Sequence, residues 1–236
     1  MNFSYLMGYA SAPMLCSRET FKTLVSSPAV KTNIEAFRHG DDKAKKRLPA
    51  FCFHSTFKAN QRLNADAVTS GLVMVDIDHA TDEEMKRYVE KAMPRPEDAA
   101  TTEVMLIHIT PSGKGLRFVI KATSKPGYEQ CSSISDYQQV FAQKIGASVK
   151  LDQATDDPAR LSFCPRREDI LYLNERLESL QSSLSTSHEP IRPVQNERRK
   201  YHEEFLHTIA TSRTKLLKIN ASSRCETSHE YLPIWR

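Results

Sequence analysis

The sequence predicts an α+β fold, a mixed or antiparallel sheet with flanking helices, and three observations predict it. Short apolar runs alternate with amphipathic helical stretches through the first half of the chain. Two of these runs, 104–109 and 116–120, are joined only by Thr110-Pro111-Ser112-Gly113-Lys114-Gly115, too short for a crossover helix and suited to a hairpin. Beyond residue 146 the apolar segments 149–151, 160–163 and 171–173 are short and separated by turn-forming residues.

In order along the chain, residues 1–16 are mildly apolar but lack a basic leading segment and are broken by Gly8, Tyr9, Ser11 and Pro13, which makes a poor signal peptide. Residues 18–48 read as helical, with Phe21, Leu24 and Val25 and then Ile34 and Phe37 at helical spacing around an interruption at Pro28. The apolar, aromatic run Leu48-Pro49-Ala50-Phe51-Cys52-Phe53-His54 reads as a strand, and 58–64 as a polar loop. Leu72-Val73-Met74-Val75-Asp76-Ile77-Asp78 is β-branched and apolar, the signature of a buried strand. Residues 81–93 form a helix with Met85, Tyr88, Val89 and Ala92 on one face, three acids in its first turn and Pro94 as its stop. Residues 133–145 form another, carrying Ile134, Tyr137, Val140, Phe141 and Ile145 and followed by Gly146. From 181 to 196 Ser, Thr, Pro and Gln dominate, a linker composition; 197–219 suits a last helix, and 220–236 carries no usable periodicity. The expected organisation is therefore a domain over 1–180, a linker over 181–196 and a helical or disordered basic tail over 197–236.

Composition narrows the function. No apolar stretch approaches a membrane span. The five cysteines are far apart and lack metal-site spacing, so they read as reduced, mostly buried thiols of a cytoplasmic protein. Net charge is +4, and nine Lys/Arg against five Asp/Glu over 190–236 account for all of it. The body is thus electrostatically balanced, and any phosphate recognition there must be local. In the tail, Arg198, Arg199, Lys200, Arg213, Lys215 and Lys218 suit either a solvated helix face or a phosphate backbone.

Three segments carry candidate chemistry. Asp76 and Asp78 are two apart on a strand, so they leave the core on one side, about 7 Å apart along the backbone. Without a counter-charge one of them is pushed toward protonation, a penalty that a bound divalent cation removes. The alternative is an acidic pair that merely begins a loop. In Ser112-Gly113-Lys114-Gly115-Leu116-Arg117 two glycines, a hydroxyl and two cations suit a triphosphate, although the P-loop spacing is absent; a plain hairpin turn with a solvated Lys114 is the other reading. Arg117, one step inside a strand, needs an anionic partner. In the third segment, 150–163, Asp152 follows a short apolar run as Asp76 does and could supply a third carboxylate, and Arg160 could hold a phosphate or pair with one of these acids. A solvated loop is again the alternative.

Taken in order, these segments resemble the archaeo-eukaryotic primase (primase-polymerase) superfamily, with its apolar-Asp-x-Asp, Ser-Gly-to-basic and apolar-Asp motifs. More narrowly, the run from Leu48-Pro49-Ala50 through Gly71 to Asp78, Pro111 to Arg117 and Asp152 to Phe163 is similar to the primase-like domain N-terminal to VirE-type helicase domains of bacterial mobile elements. The resemblance implies a primase-polymerase-like core and a nucleotidyltransferase acting on a single-stranded DNA template with nucleoside triphosphates. It also implies that Asp76, Asp78 and Asp152 are catalytic and bind two Mg2+ or Mn2+, which together stabilise the attacking and leaving oxygens of an in-line displacement. Ser112, Gly113, Lys114, Gly115, Arg117 and Arg160 would bind the nucleotide, and a VirE-type helicase would be a partner, since relatives often continue into a helicase-like ATPase. This sequence instead runs into a polar linker, as a stand-alone or truncated form would.

One departure matters: Arg117 stands where catalytic members usually carry His, and Arg does not exchange a proton near neutral pH. His108 reads as a strand residue facing solvent or a carbonyl. An inactive nucleotide- and DNA-binding module is therefore the alternative to the enzyme. A haloacid dehalogenase-type phosphatase, with Asp76 as nucleophile and Asp78 as acid, fits the Asp-Ile-Asp opening but lacks the Gly-Thr that usually follows, His79-Ala80 standing there instead.

Overall fold

The computed structural model describes residues 3–179. The expected boundary at 180, the linker over 181–196 and the tail over 197–236 lie outside the described residues, as does Cys225. Within them the fold is α+β, and every strand pairing is antiparallel.

The segment before residue 17 is part of a sheet. Strands β1 (Ser4–Leu6) and β2 (Met14–Leu15) form a hairpin that places Phe3, Leu6 and Cys16 in the core. The expected helical stretch 18–48 is three helices: α1 (Arg18–Val25), α2 (Pro28–Arg38) and α3 (Asp42–Lys46). Local chemistry sets the breaks. The Ser17 side chain caps α1, Pro28 occupies the first turn of α2 where its missing N–H is harmless, and Gly40 at φ +101° turns the chain into α3.

Strand β3 (Ala50–Cys52) lies between β1 and β9 (Ser162–Phe163), giving a first sheet ordered β2-β1-β3-β9. Phe3, Phe21, Phe51 and Phe53 pack ring to ring beneath it, with centroids 4.8 to 6.5 Å apart. Next comes a small hairpin of β4 (Ser55–Phe57) and β5 (Ala67–Thr69) flanking the polar loop, which its short, half-exposed strands left unmarked in the sequence.

The second sheet positions the site. It is built from β6 (Leu72–Ile77), β7 (Val104–Ile109), β8 (Leu116–Lys121) and β10 (Ile170–Leu173) in the order β10-β7-β8-β6. On one face Leu72, Met74, Leu106 and Val119 join the cluster containing Phe51 and Ile34. On the other, Phe118 meets Phe141 of α5 (Ile134–Ile145), whose capping box at Ser133 and αL residue Gly146 at φ +77° match the expected ends. Helix α4 (Asp82–Ala92) has its own capping box between Thr81 and Glu84, and α6 (Glu175–Ser179) closes the described chain.

The expected strand at 149–151 is not one. Residues Ser148–Lys150 form a 3-10 turn, and only Leu151 bridges to Ile77. The amide of Lys150 bonds the carbonyl of Ala147, which keeps the segment wound after α5 ends. No helix of the described residues is long and apolar enough to cross a membrane. Cys16, Cys52 and Cys164 are buried free thiols and Cys131 is half-buried and free.

Candidate metal centre

The site forms where the open edge of the second sheet is closed. Strand β6 lies at that edge, and unpaired edge groups must find other partners. The Met74 N–H donates to His54 Nε2 at 2.9 Å, and the Met74 carbonyl accepts from Gln138 Nε2 at 2.9 Å. Because His54 Nε2 accepts, its proton sits on Nδ1 and faces the Asp157 carbonyl at 3.0 Å. Two residues on, backbone takes over: the Asp152 N–H donates to the Asp76 carbonyl at 3.0 Å, and the Asp78 N–H to the Lys150 carbonyl at 3.1 Å. These two bonds bring Asp152, distant in sequence, to the end of β6.

One carboxylate oxygen from each of Asp76, Asp78 and Asp152 lies within 4.8 Å of the others. Asp76 is buried, whereas Asp78 and Asp152 are half-buried. Burial, then the charges of Asp76 and Asp152, push the Asp78 carboxyl above its ordinary range, although Arg117 pulls the other way. Asp76 Oδ1 is buried with no hydrogen-bond partner. An orphaned carboxylate oxygen beside two further acids fits a hard divalent cation, which supplies the missing partner. The three residues form an acidic cluster that could hold a metal ion.

Two of the cationic residues contact the acids themselves. Arg117 stands opposite Asp76 in the β6–β8 register and opposite His108 in the β7–β8 register. Its Nη2 is ion-paired with Asp76 Oδ2, and its Nη1 donates to Ser162 Oγ at 3.0 Å. With 10% of its side chain exposed, the guanidinium is held between the two sheets, and Asp76 is the anionic partner that a cation inside a strand needs. Arg160 takes the second role foreseen for it, lying 3.5 Å from Asp152 Oδ2 with its side chain 41% exposed. His108 is fully buried rather than solvent-facing; its Nδ1 meets the Ile109 carbonyl at 2.9 Å and its Nε2 has no partner.

The hairpin from Thr110 to Gly115 lies against this cluster. The Thr110 N–H bonds the Gly115 carbonyl at 2.9 Å, and the Gly113 N–H the Thr110 carbonyl at 2.8 Å, with Gly113 at φ +75°. Ser112 Oγ accepts from the Lys114 N–H at 3.3 Å. The amides of Gly113 and Lys114 are thus engaged within the turn. The Lys114 side chain is exposed, makes no ion pair or hydrogen bond among the described residues, and remains the free cation of the loop. Gly115 is required by close approach: a Cβ there would sit 2.5 Å from the Ile77 carbonyl oxygen and 3.1 Å from Asp78 Oδ1. A cavity of about 400 Å³ lies elsewhere, among Met93, Val104, Tyr128 and Phe141, and touches none of the three acids.

Several supporting residues carried no sequence signal. Arg38, in the last turn of α2, donates from Nε to the Pro111 carbonyl at 3.0 Å and from Nη2 to Asp169 at 2.8 Å, which pins the hairpin from below. Arg166 shares Asp169 Oδ2 at 3.0 Å. Ser162, His54 and Gln138 are likewise recognisable only once the two sheets are assembled, because each acts on a residue far away in the chain.

All six candidate nucleotide-contacting residues and all three acids fall within residues 43–172, which match a family model described as BT4734-like, N-terminal domain. No curated protein and no solved structure matches the chain. The match spans more than half of the sequence and contains the whole acidic cluster with its flanking hairpin, so the chain belongs to the BT4734-like N-terminal domain family.

Proposed function

We propose that this chain is a divalent-metal-dependent, primase-like nucleotidyltransferase that extends a primer on single-stranded DNA, with Asp76, Asp78 and Asp152 as the metal-binding acids. The observation that carries the reading is the convergence of these three carboxylates, Asp152 being far from the other two in sequence, beside a hairpin bearing an unpaired lysine. A bound Mg2+ or Mn2+ supplies Lewis-acid polarisation of a phosphoryl oxygen and activation of a hydroxyl at neutral pH. Asp78 and Asp152 would hold it with Asp76 Oδ1. Lys114, exposed on the hairpin beside Gly115, would meet the triphosphate as a point charge. Arg160, partly exposed beside Asp152, can turn toward an incoming phosphate while still shielding that acid. Gly115, next to Lys114 in the chain, lets the hairpin pack directly against Ile77 and Asp78.

A template, labelled nucleotides and Mn2+ test this directly. The unaltered protein should make extended product, and the Asp76→Ala, Asp78→Ala double variant should make none; equal product from both would sink the proposal. A second reading, a primase-like module that binds nucleotide and DNA without turnover, is favoured by one observation: Arg117 is committed to Asp76 and Ser162 and cannot relay a proton. It predicts DNA binding that weakens steeply with salt and no incorporation. A VirE-type helicase remains the proposed partner under either reading.

A further inference from the structure

We infer that Arg117 occupies the place of a second cation, so that the acidic cluster, in the absence of nucleotide, takes a single divalent ion per chain. The inference rests on the metal-binding reading above and adds a stoichiometry to it. Asp76 is divided between two duties. Its Oδ2 is ion-paired with the Arg117 guanidinium, its Oδ1 is buried without a partner, and one of its oxygens lies within 4.8 Å of one oxygen each from Asp78 and Asp152. A carboxylate that gives one oxygen to each of two ions needs both oxygens free; this one has a single unpartnered oxygen to give.

Charge balance also argues against a second ion. Three carboxylates face one guanidinium at bonding distance and a second, Arg160, at 3.5 Å from Asp152. Neither guanidinium can lose its proton in a protein. The five side chains together carry one net negative charge, which one divalent ion turns into one net positive charge, whereas two would leave a large excess of positive charge in a half-buried place.

Arg117 also has nowhere else to go. It lies between the sheets, tied on its other side to Ser162 Oγ at 3.0 Å, and its Nε is buried without a partner. Its cross-strand neighbour His108 is fully buried and offers no negative charge. An ion that evicted the guanidinium from Asp76 would leave a buried charge unpaired, which is strongly unfavourable. A second ion therefore enters only with the phosphates of a nucleotide.

Mn2+ titration of the full chain without nucleotide, read by electron paramagnetic resonance and by calorimetry, tests the count. The unaltered protein should bind one Mn2+ per chain with the spectrum of an isolated ion, and Arg117→Lys, which keeps the charge, should do the same. Arg117→Gln should bind two, with the spectrum of a spin-coupled pair. Two coupled ions in the unaltered protein, or one isolated ion in a folded Arg117→Gln, would overturn the inference while leaving the metal-binding proposal standing. No bound Mn2+ in the unaltered protein would overturn both. Should Arg117→Gln fail to fold, the spectrum of the unaltered protein alone decides between one ion and a coupled pair.

Discussion

Replacing Gly115 by Ala probes the point where the hairpin meets the acidic strand. The added Cβ would lie 2.5 Å from the Ile77 carbonyl oxygen, 3.1 Å from Asp78 Oδ1 and 3.3 Å from Thr110 Oγ1. The first distance is about 0.9 Å short of the 3.4 Å at which such contacts become ordinary. Its partner is backbone of β6, not the end of a flexible side chain, so the hairpin or the strand must move. Overpacking of this kind costs about 1–3 kcal/mol. For a chain of this size each kcal/mol corresponds to about 2–4 °C, so the melting temperature should fall by about 2–12 °C. The same displacement pushes on Asp78, so Mn2+ affinity should fall as well. Gly8→Ala is the control, because its Cβ meets only Ser11 Oγ at 3.5 Å, and it should change neither quantity. Thermal melting with and without Mn2+ measures both effects. Unchanged stability together with unchanged Mn2+ affinity in Gly115→Ala would show that the close approach does not constrain the site.

Asp76 on β6 and Asp78 just past its end should respond in opposite ways when the metal is absent. Asp76→Asn removes the charge that pairs buried Arg117 and should destabilise by about 3–5 kcal/mol in chemical denaturation. Asp78→Asn should instead raise the midpoint slightly, because burial and the charges of Asp76 and Asp152 already disfavour the Asp78 carboxylate. Truncating Gln138 to Ala leaves the Met74 carbonyl without its side-chain donor and should cost about 1–3 kcal/mol, measurable in the same experiment. His108, held down to about 3 by burial and then by Arg117, and His54, lowered chiefly by burial, stay neutral in the folded chain while the unfolded chain takes up protons. Both folded values lie below the unfolded one, so neither group affects stability above about pH 6.5. As pH falls below that value, each histidine should cost up to about 1.4 kcal/mol per pH unit until its folded-state value is reached. Denaturation midpoints between pH 7 and pH 5 check this, and a flat profile would contradict it.

Local sequence signals were enough for the elements whose pattern and caps lie close together. Helix α4 carries Thr81 and Glu84 as a capping box before Met85, Tyr88 and Val89, and α5 carries Ser133, Asp136 and Gly146 at its ends. Strands β6, β7 and β8 were legible as buried apolar runs. What escaped depended on partners far away. The hairpin of β4 and β5 is short and half-exposed, and residues 149–151 look like a strand by composition yet follow α5 so closely that they wind into a turn. In the site, the Asp-x-Asp spacing marked Asp76 and Asp78, and Asp152 follows an apolar run as they do. The fate of Arg117 was only half legible. A cation inside a strand needs an anion, but that the anion is Asp76 follows from the register that sets the two opposite each other. Arg38 gave no sign of its role, since its partners Pro111 and Asp169 lie on other elements.

Diffraction from crystals soaked in Mn2+ and recorded at an anomalous wavelength tests the central claim most directly. The account predicts an anomalous peak bounded by Asp76, Asp78 and Asp152, with the Arg117 guanidinium still on Asp76. A map with no peak at these carboxylates, or with Mn2+ bound only at other residues, would contradict it.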